Sequence, residues 1–255
     1  MWRKLPKPLS YKELEQMRKN ARVHKKVLDT IREVVKPGMT AGEIDRLAGK
    51  ITRDAGMICA FRGQYGFPGN ICISVNDVIA HGVPYDDLVF KEWDLVNFDF
   101  WVKDKQLGIY TDSGITLVIG WEDKNPLGAD MIEVTKKALY AGISKARDGN
   151  TIGDIWAAVQ EVIDASPYHI VRDLSGHGIG RKVHEEPYVY NYGTPGTGLK
   201  LKAGMTIAIE PLIGETSGEI FQEEWRDDIF VADGSLGCQY EHSILITEGE
   251  AEIII

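Results

Sequence analysis

Residues 95–102 alternate along the chain with a period of two, so that apolar side chains fall on one face. The other face carries Asp99 and Trp101, and this pattern is typical of a β-strand. A polar segment, residues 103–108, then precedes a second short run that ends at Asp112. The pattern predicts a β-hairpin.

The predicted hairpin brings two aspartates together. If Asp99 lies directly opposite Asp112, the turn is centred between Lys105 and Gln106, and the two Cβ atoms lie roughly 5 Å apart. We therefore expect both carboxylates on one face of the hairpin, close enough to share metal ions.

Three more candidate ligands stand beside other strand-like segments. Glu210 ends an apolar run, and Pro211 after it favours an extended backbone. Glu241 precedes another apolar run, and His177 lies between glycines whose missing side chains let the backbone approach a ligand closely. A single acid at a strand end is usually solvated or caps a helix, and a single Gly-His-Gly is a weak signal. The combination predicts a common interior site.

The chemistry of this set indicates metal ions. Four carboxylates and one imidazole, brought together empty, would hold about four negative charges, which protons or cations must offset. Two divalent cations would cancel that charge. Oxygen-rich ligation with one histidine suits Mn, Fe, Co or Zn better than a structural zinc site built on cysteines.

The chain also repeats itself. Residues 38–44 resemble residues 149–155, and residues 91–99 align with residues 202–210, both with an offset of 111 residues. In the first pair a threonine is followed three residues later by an acid, which resembles the capping box at a helix start. The common offset predicts a duplicated α/β unit with the site between its halves.

Composition is compatible with one folded unit. The chain has 255 residues, of which 44% are hydrophobic, and we expect a single domain over residues 1–255, with 1–35 as an N-terminal basic segment and helix. No apolar run has the length of a signal peptide or a membrane span. Three cysteines leave one thiol without a partner, which fits a reducing compartment, so we expect a cytoplasmic protein.

Charge is unevenly distributed along the chain. A net charge of −9 argues against general nucleic-acid binding. The first 26 residues, however, hold nine Lys or Arg against Glu13 and Glu15. This segment could approach ribosomal RNA transiently, or it could be a solvated amphipathic helix over residues 11–35.

At this point the motifs resemble those of a known family. The chain is similar to the type I methionine aminopeptidases, which are pita-bread metallopeptidases, over nearly its whole length. The matching segments, in the order of the family, are residues 72–76 with 81–84, 96–99, 111–112, 176–181, 184–187, 208–211 and 239–242. The resemblance implies a fold of the α/β (α+β) class, with two pseudo-symmetric halves around a central antiparallel-rich sheet.

The resemblance also implies residue roles. It implies that two divalent metal ions bind to Asp99, Asp112, His177, Glu210 and Glu241. Glu210 would be the general base, His184 would stabilise the oxyanion, and His81 would contact the scissile nitrogen. The substrates would be peptides and nascent-protein N-termini, and family members of this kind are typically monomers.

The substrate pocket departs from the family pattern. Phe61, Phe67 and Cys72 are expected to line an apolar slot that suits a flexible thioether. Family members commonly carry a Tyr where Gln64 stands and an aromatic or similar residue where Val183 stands. They also carry a Trp aligned with Asp227, whereas this chain has Trp225 two residues earlier, and Trp225 is taken as a further substrate-binding residue.

Three functions compete at this stage. The first is removal of the initiator methionine from chains whose second residue is small. The second is a broader-specificity or Xaa-Pro aminopeptidase of the same fold, although Asp173 stands four residues before His177, where Xaa-Pro enzymes usually have another histidine. The third is a binding module that lacks catalysis, but such proteins lose metal ligands and all five are present here.

Overall fold

A computed structural model describes residues 7–255, apart from the side chains of Tyr65 and Glu122. The α-helices of this part are α1 (Tyr11–Val34), α2 (Ala41–Asp54), α3 (Pro126–Lys145) and α4 (Ile152–Asp164). The strands are β1 (Ile58–Cys59), β2 (Cys72–Val75), β3 (Val78–Ala80), β4 (Leu95–Lys103), β5 (Tyr110–Val118), β6 (His169–Ile170), β7 (Gly176–Gly178), β8 (Glu185–Val189), β9 (Thr206–Ile209), β10 (Leu212–Gly214), β11 (Ile220–Gln222), β12 (Ile229–Val231), β13 (Gly237–Gln239), β14 (His242–Leu245) and β15 (Glu252–Ile253).

Helices α2 and α4 begin at the two repeated motifs. The Glu43 carboxylate accepts a hydrogen bond from the backbone N–H of Thr40 at 2.8 Å. The Asp154 carboxylate does the same for Thr151 at 2.7 Å. Each acid satisfies a backbone donor that the helix itself leaves unpaired. The two predicted helix starts are confirmed.

The hairpin of β4 and β5 forms as predicted, but its register differs by two residues. Asp99 lies opposite Gly114, and Asp112 lies opposite Trp101, so the predicted direct pairing of Asp99 with Asp112 is wrong. The Asp104 carboxylate causes the difference, because it accepts hydrogen bonds from the backbone of Gln106, Leu107 and Ile109 and so fixes a wider turn. A shift of two residues keeps each side chain on its face, so the aspartates remain diagonal neighbours.

Two antiparallel sheets carry the candidate site. In the first, β4 pairs with β1, β2 and β5. The second has the strand order β15-β14-β9-β7-β8, which leaves β8 at an edge. Helix α1 packs on α2 and on β4 and β5, while α3 and α4 pack on each other. One cluster of buried apolar side chains runs through both halves.

Side-chain hydrogen bonds join the two halves beside the candidate ligands. The backbone N–H of Asp112 donates to Ser243 Oγ at 3.1 Å, and that hydroxyl donates to the Asp112 carbonyl at 2.6 Å. Ser113 Oγ donates to the Glu241 carbonyl at 2.7 Å. These bonds hold β5 of the first half against β14 of the second.

Helix α1 ends one residue before its predicted end. Part of its basic charge is paired, because Arg18 contacts Glu15 and Glu252, each at 2.7 Å. Arg3 and Lys4 of the predicted basic segment lie outside the described residues. Within residues 7–255, no helix is both long and apolar enough to cross a membrane.

Candidate active site

Three of the predicted ligands meet in the interior. Asp112, His177 and Glu241 are buried, and one donor atom from each lies within 4.8 Å of the others. His177 Nε2 lies 3.4 Å from Asp112 Oδ2 and 3.7 Å from Glu210 Oε1. Carboxylate oxygens and a neutral imidazole nitrogen are ligands that divalent transition metals accept.

Backbone contacts orient the imidazole of His177. Its Nδ1–H donates to the carbonyl of Gly178 at 3.0 Å, which leaves Nε2 without a proton and facing the carboxylates. Burial and the neighbouring His184 lower the pKa of His177 to about 3. The ring is therefore neutral at physiological pH, as a metal ligand must be.

The glycines on both sides of His177 let neighbouring strands approach closely. A Cβ at Gly176 would lie 2.3 Å from the Ala208 carbonyl oxygen, and one at Gly178 would lie 2.2 Å from that of Glu186. The expectation that these glycines also let the backbone approach a ligand stays a prediction. They let β7 fit closely between its neighbours, and this close fit places His177.

Asp99 and Glu210 complete the acidic cluster. Both line a cavity of about 360 Å³, together with His81, His177 and His184. The structure thus brings the five predicted ligands together, with His177 common to the buried group and to the cavity. Asp99 and Glu210, which the offset of 111 residues relates, lie in the middle of β4 and directly after the last residue of β9.

Burial and mutual repulsion raise the pKa values of these carboxyl groups. Burial raises the pKa of Asp99 to about 7. Burial, followed by the charges of Asp99 and Glu210, raises the pKa of Asp112 well above its usual range. Burial and Asp99 do the same for Glu210, and burial and Asp112 for Glu241. The empty cluster therefore retains protons near neutral pH.

Several carboxylate oxygens in the cluster have no partner. Asp99 Oδ1, Asp112 Oδ1 and Glu241 Oε1 are buried without a hydrogen bond. Unpaired buried acceptors are costly, and a cation would satisfy all of them. The donor set and its unpaired oxygens therefore fit divalent metal ions.

Gln239 contacts two of the candidate ligands and was not among the residues predicted from the sequence. Gln239 Nε2 lies 3.2 Å from Glu241 Oε2 and 3.4 Å from Glu210 Oε2, and it donates to both. Its amide oxygen accepts from Asn97 Nδ2 at 2.8 Å. Room for this amide depends on Gly114, where a Cβ would lie 2.3 Å from Gln239 Oε1. Its position two residues before Glu241 is the only feature of the sequence that points to Gln239.

Two histidines face the cluster from the cavity side. The ring of His184 makes edge-to-face contacts with His177 at 4.4 Å and with Trp101 at 5.2 Å between centroids. Burial and the nearby His81 lower the pKa of His184 to about 4. His81 has a φ of +56°, an uncommon conformation for a residue with a Cβ, and burial lowers its pKa. Both rings are neutral hydrogen-bonding groups at pH 7.

A separate cluster of buried apolar side chains, which we call the apolar slot, lies beside His184. It contains Phe61, Phe67 and Cys72 together with Val183 and Trp101, and its role as a substrate pocket stays a prediction. The indole of Trp101 stacks on Phe61 with centroids 3.6 Å apart. The sequence analysis did not assign Trp101, although it shares the period-two face of Asp99.

Trp225 does not lie in this slot. Its side chain is 81% exposed, so the predicted substrate-binding role of Trp225 is not supported. Asp228 turns inward instead, accepting hydrogen bonds from the backbone N–H of Val83 at 2.9 Å and from Tyr85 Oη at 3.1 Å. The ion pair of Arg226 with Asp228, 2.9 Å long, fixes this loop with Trp225 outward.

A comparison with models of known protein families identifies the family of this chain. The model of metallopeptidase family M24 matches residues 15–248. The chain belongs to this family, and it is a metal-dependent hydrolase. The family resemblance seen in the sequence motifs is confirmed.

Several known proteins are similar to this chain over nearly its whole length. A methionine aminopeptidase of Clostridium perfringens is 36% identical over 244 residues, covering 95% of each chain. One of Escherichia coli is 35% identical over 246 residues, covering 95% of this chain and 90% of that one.

Solved structures agree with these sequence matches. The methionine aminopeptidase of Rickettsia prowazekii has a TM-score of 0.92 at 34% identity, covering 97% of this chain and 98% of that one. The predicted pita-bread fold is confirmed. A prolidase of Pyrococcus furiosus, with a TM-score of 0.75 at 22% identity, covers 97% of this chain and 64% of that one, and shares the fold.

Metal binding should release protons. Because the pKa of Asp99 is about 7 and those of its neighbours are raised, metal ions must displace protons from the cluster at pH 6. We expect release of about one or more protons per chain and an affinity that rises as pH increases from about 6 to 8. Calorimetric titration with Mn²⁺ in two buffers of different ionisation enthalpy measures both. An affinity that is independent of pH over this range would contradict the raised pKa values.

Proposed function

We propose that this protein is an aminopeptidase that removes the N-terminal methionine from peptides and newly made polypeptides. The observation that carries this proposal is the buried cluster of Asp112, His177 and Glu241 beside the cavity that His177 and His184 line. Full-length similarity to proteins named methionine aminopeptidase supports the same reaction.

We propose that the five acidic and imidazole side chains hold two divalent cations. When bound, such ions polarise the peptide carbonyl and lower the pKa of a water nucleophile. Glu210 is the proposed general base. Its carboxylate would take a proton from the water and pass it to the leaving amine.

The two cavity histidines are assigned to the substrate peptide. His184 is neutral because burial lowers its pKa, and its N–H can donate to the oxygen that gains charge in the tetrahedral transition state. His81 lines the same cavity, and we assign it to the scissile nitrogen. Trp101 packs against the His184 ring and restrains its orientation.

We assign the apolar slot to the first side chain of the substrate. We infer that the stacked rings of Phe61 and Trp101 make it narrow, and Cys72 in the same cluster is fully buried. A narrow slot favours an unbranched, flexible side chain such as that of methionine over a branched or aromatic one. The Val183 side chain fills less of the slot than an aromatic side chain would. Trp101, which lies on β4, fills part of the slot as well.

The second candidate is an Xaa-Pro aminopeptidase. It has one observation in its favour, since the prolidase of Pyrococcus furiosus shares the fold. Against it, Asp173 lines the cavity where Xaa-Pro enzymes usually present a histidine. An acid there adds negative charge beside the cluster and offers no neutral hydrogen-bond donor to the substrate.

We further propose that the enzyme acts in the cytoplasm as a monomer. Cys59, Cys72 and Cys238 are buried free thiols, which suits a reducing compartment. A transient contact of the basic face of α1 with ribosomal RNA stays a prediction.

The specificity test uses three tripeptides and metal-loaded enzyme. Met-Ala-Ser should be cleaved with a kcat/KM at least about tenfold higher than Leu-Ala-Ser or Ala-Pro-Ser, because apolar fit discriminates by roughly 10- to 200-fold. Equal cleavage of Leu-Ala-Ser would replace methionine specificity with broad specificity. Preference for Ala-Pro-Ser would move the protein to the Xaa-Pro group.

A variant links this specificity to the slot. Trp101→Leu removes the ring that stacks on Phe61, so it should reduce the preference for Met-Ala-Ser over Leu-Ala-Ser several-fold. Phe221→Ala, at an exposed ring on β11, serves as the control and should leave the ratio unchanged.

The oxyanion role of His184 has its own test. His184→Ala should lower kcat by roughly 10² and change KM only a few-fold, because the hydrogen bond strengthens in the transition state. Metal content, measured by elemental analysis, should stay intact. His169→Ala, at an exposed histidine on β6, is the matched control. A His184→Ala enzyme with normal kcat, or one that has lost its metals, would refute the assigned role.

A further inference from the structure

Three tyrosines form a row on one side of the chain at and beyond β8. The rings of Tyr188 and Tyr190 are stacked, with centroids 6.1 Å apart and planes within 18°. The centroid of Tyr192 lies 5.8 Å from that of Tyr190. Alternate residues of an extended chain share a face, so residues 188, 190 and 192 present these rings together. We call them the tyrosine row.

The tyrosine row begins inside the active-site cavity. Tyr188 lies directly opposite His177 in the pairing of β7 with β8, and it lines the cavity that contains Asp99 and Glu210. Its side chain is 53% exposed. The row therefore starts at the cavity of the candidate metal centre and continues to Tyr190 and Tyr192, which are half-buried.

The tyrosine row is separate from the apolar slot. None of the residues of the slot lines the cavity from which the row starts. If the first side chain of a substrate occupies the slot, the chain that follows the scissile bond must leave through the cavity. The first element that it meets on the Tyr188 side is the tyrosine row.

Other side chains hold the rings in place. Trp156 contacts Tyr190 edge-on, with centroids 5.3 Å apart. The Arg172 guanidinium lies 4.4 Å from the centroid of Tyr192. Rings that are already fixed lose little conformational entropy when a ligand binds. Contiguous aromatic rings that are exposed, as Tyr188 is, or half-buried, as Tyr190 and Tyr192 are, are typical of recognition surfaces.

We propose that the tyrosine row binds the part of the substrate chain that follows its first three residues and favours aromatic side chains there. This inference rests on the proposed peptidase function. Same-face side chains of an extended peptide recur about every 6.6 Å, close to the ring spacings of 6.1 and 5.8 Å. Aromatic residues at alternate positions of the substrate can therefore stack on successive tyrosines.

The test compares two heptapeptides that share their first three residues. Met-Ala-Ser-Phe-Gly-Phe-Gly should have a kcat/KM roughly two- to tenfold above that of Met-Ala-Ser-Ala-Gly-Ala-Gly, mainly through KM, because aromatic pairs contribute modestly to binding. Tyr190→Ala and Tyr192→Ala should each reduce this ratio toward one. Tyr11→Ala, at a tyrosine that is 78% exposed on α1, is the control and should preserve the ratio.

A second measurement does not depend on catalysis. Fluorescence anisotropy of the aromatic heptapeptide, labelled at its C-terminus, gives the Kd for metal-free protein, and Tyr190→Ala should weaken it by a similar factor. A wild-type enzyme that fails on Met-Ala-Ser but shows this Kd change overturns the proposed function and supports the row. Equal kinetics and equal Kd for the two heptapeptides overturn the row. So does a Tyr190→Ala variant whose only change is its oligomeric state in sedimentation, because the row would then join two copies of the chain.

Discussion

Repulsion among buried carboxylates is the constraint on which the rest of the structure depends. Burial raises the pKa values of Asp99, Asp112, Glu210 and Glu241, and like charges raise those of the last three further. Several of their oxygens have no hydrogen-bond partner. Such a cluster is unfavourable unless protons or cations compensate for it. The fold therefore requires cations or protons in its interior to compensate for these charges. Membership of metallopeptidase family M24 agrees with a requirement for metal ions.

The surrounding framework holds these charges in place from both halves of the repeat. Ser243 bonds to the backbone of Asp112 across the two sheets, and Gln239 reaches Glu210 and Glu241. Close strand contacts at Gly176 and Gly178 fix His177, whose Nδ1–H is held by a backbone carbonyl. The same hairpin that carries Asp99 also carries Trp101, so the proposed metal centre and the proposed specificity slot are parts of one rigid element.

The sequence predicted what depends on local pattern. Periodicity gave the hairpin, the capping boxes gave the starts of α2 and α4, and the offset of 111 residues related Asp99 to Glu210. Prediction from the sequence was wrong where specific contacts between side chains and their neighbours decide the structure. The Asp104 turn sets the register, and the Asp228 ion pair sends Trp225 outward. The close approach of strands at Gly176 and the stacking of Trp101 on Phe61 join residues distant in sequence, which no local pattern shows.

The number of metal ions per chain tests the central claim most directly. Calorimetric titration of the metal-free protein with Mn²⁺ or Co²⁺, checked by elemental analysis of the dialysed product, measures it. The account predicts two ions, because four carboxylates carry about four negative charges when fully ionised and one divalent cation would leave half of that charge uncompensated. Saturation at one ion, with full peptidase activity and no second ion bound at millimolar metal, would contradict it.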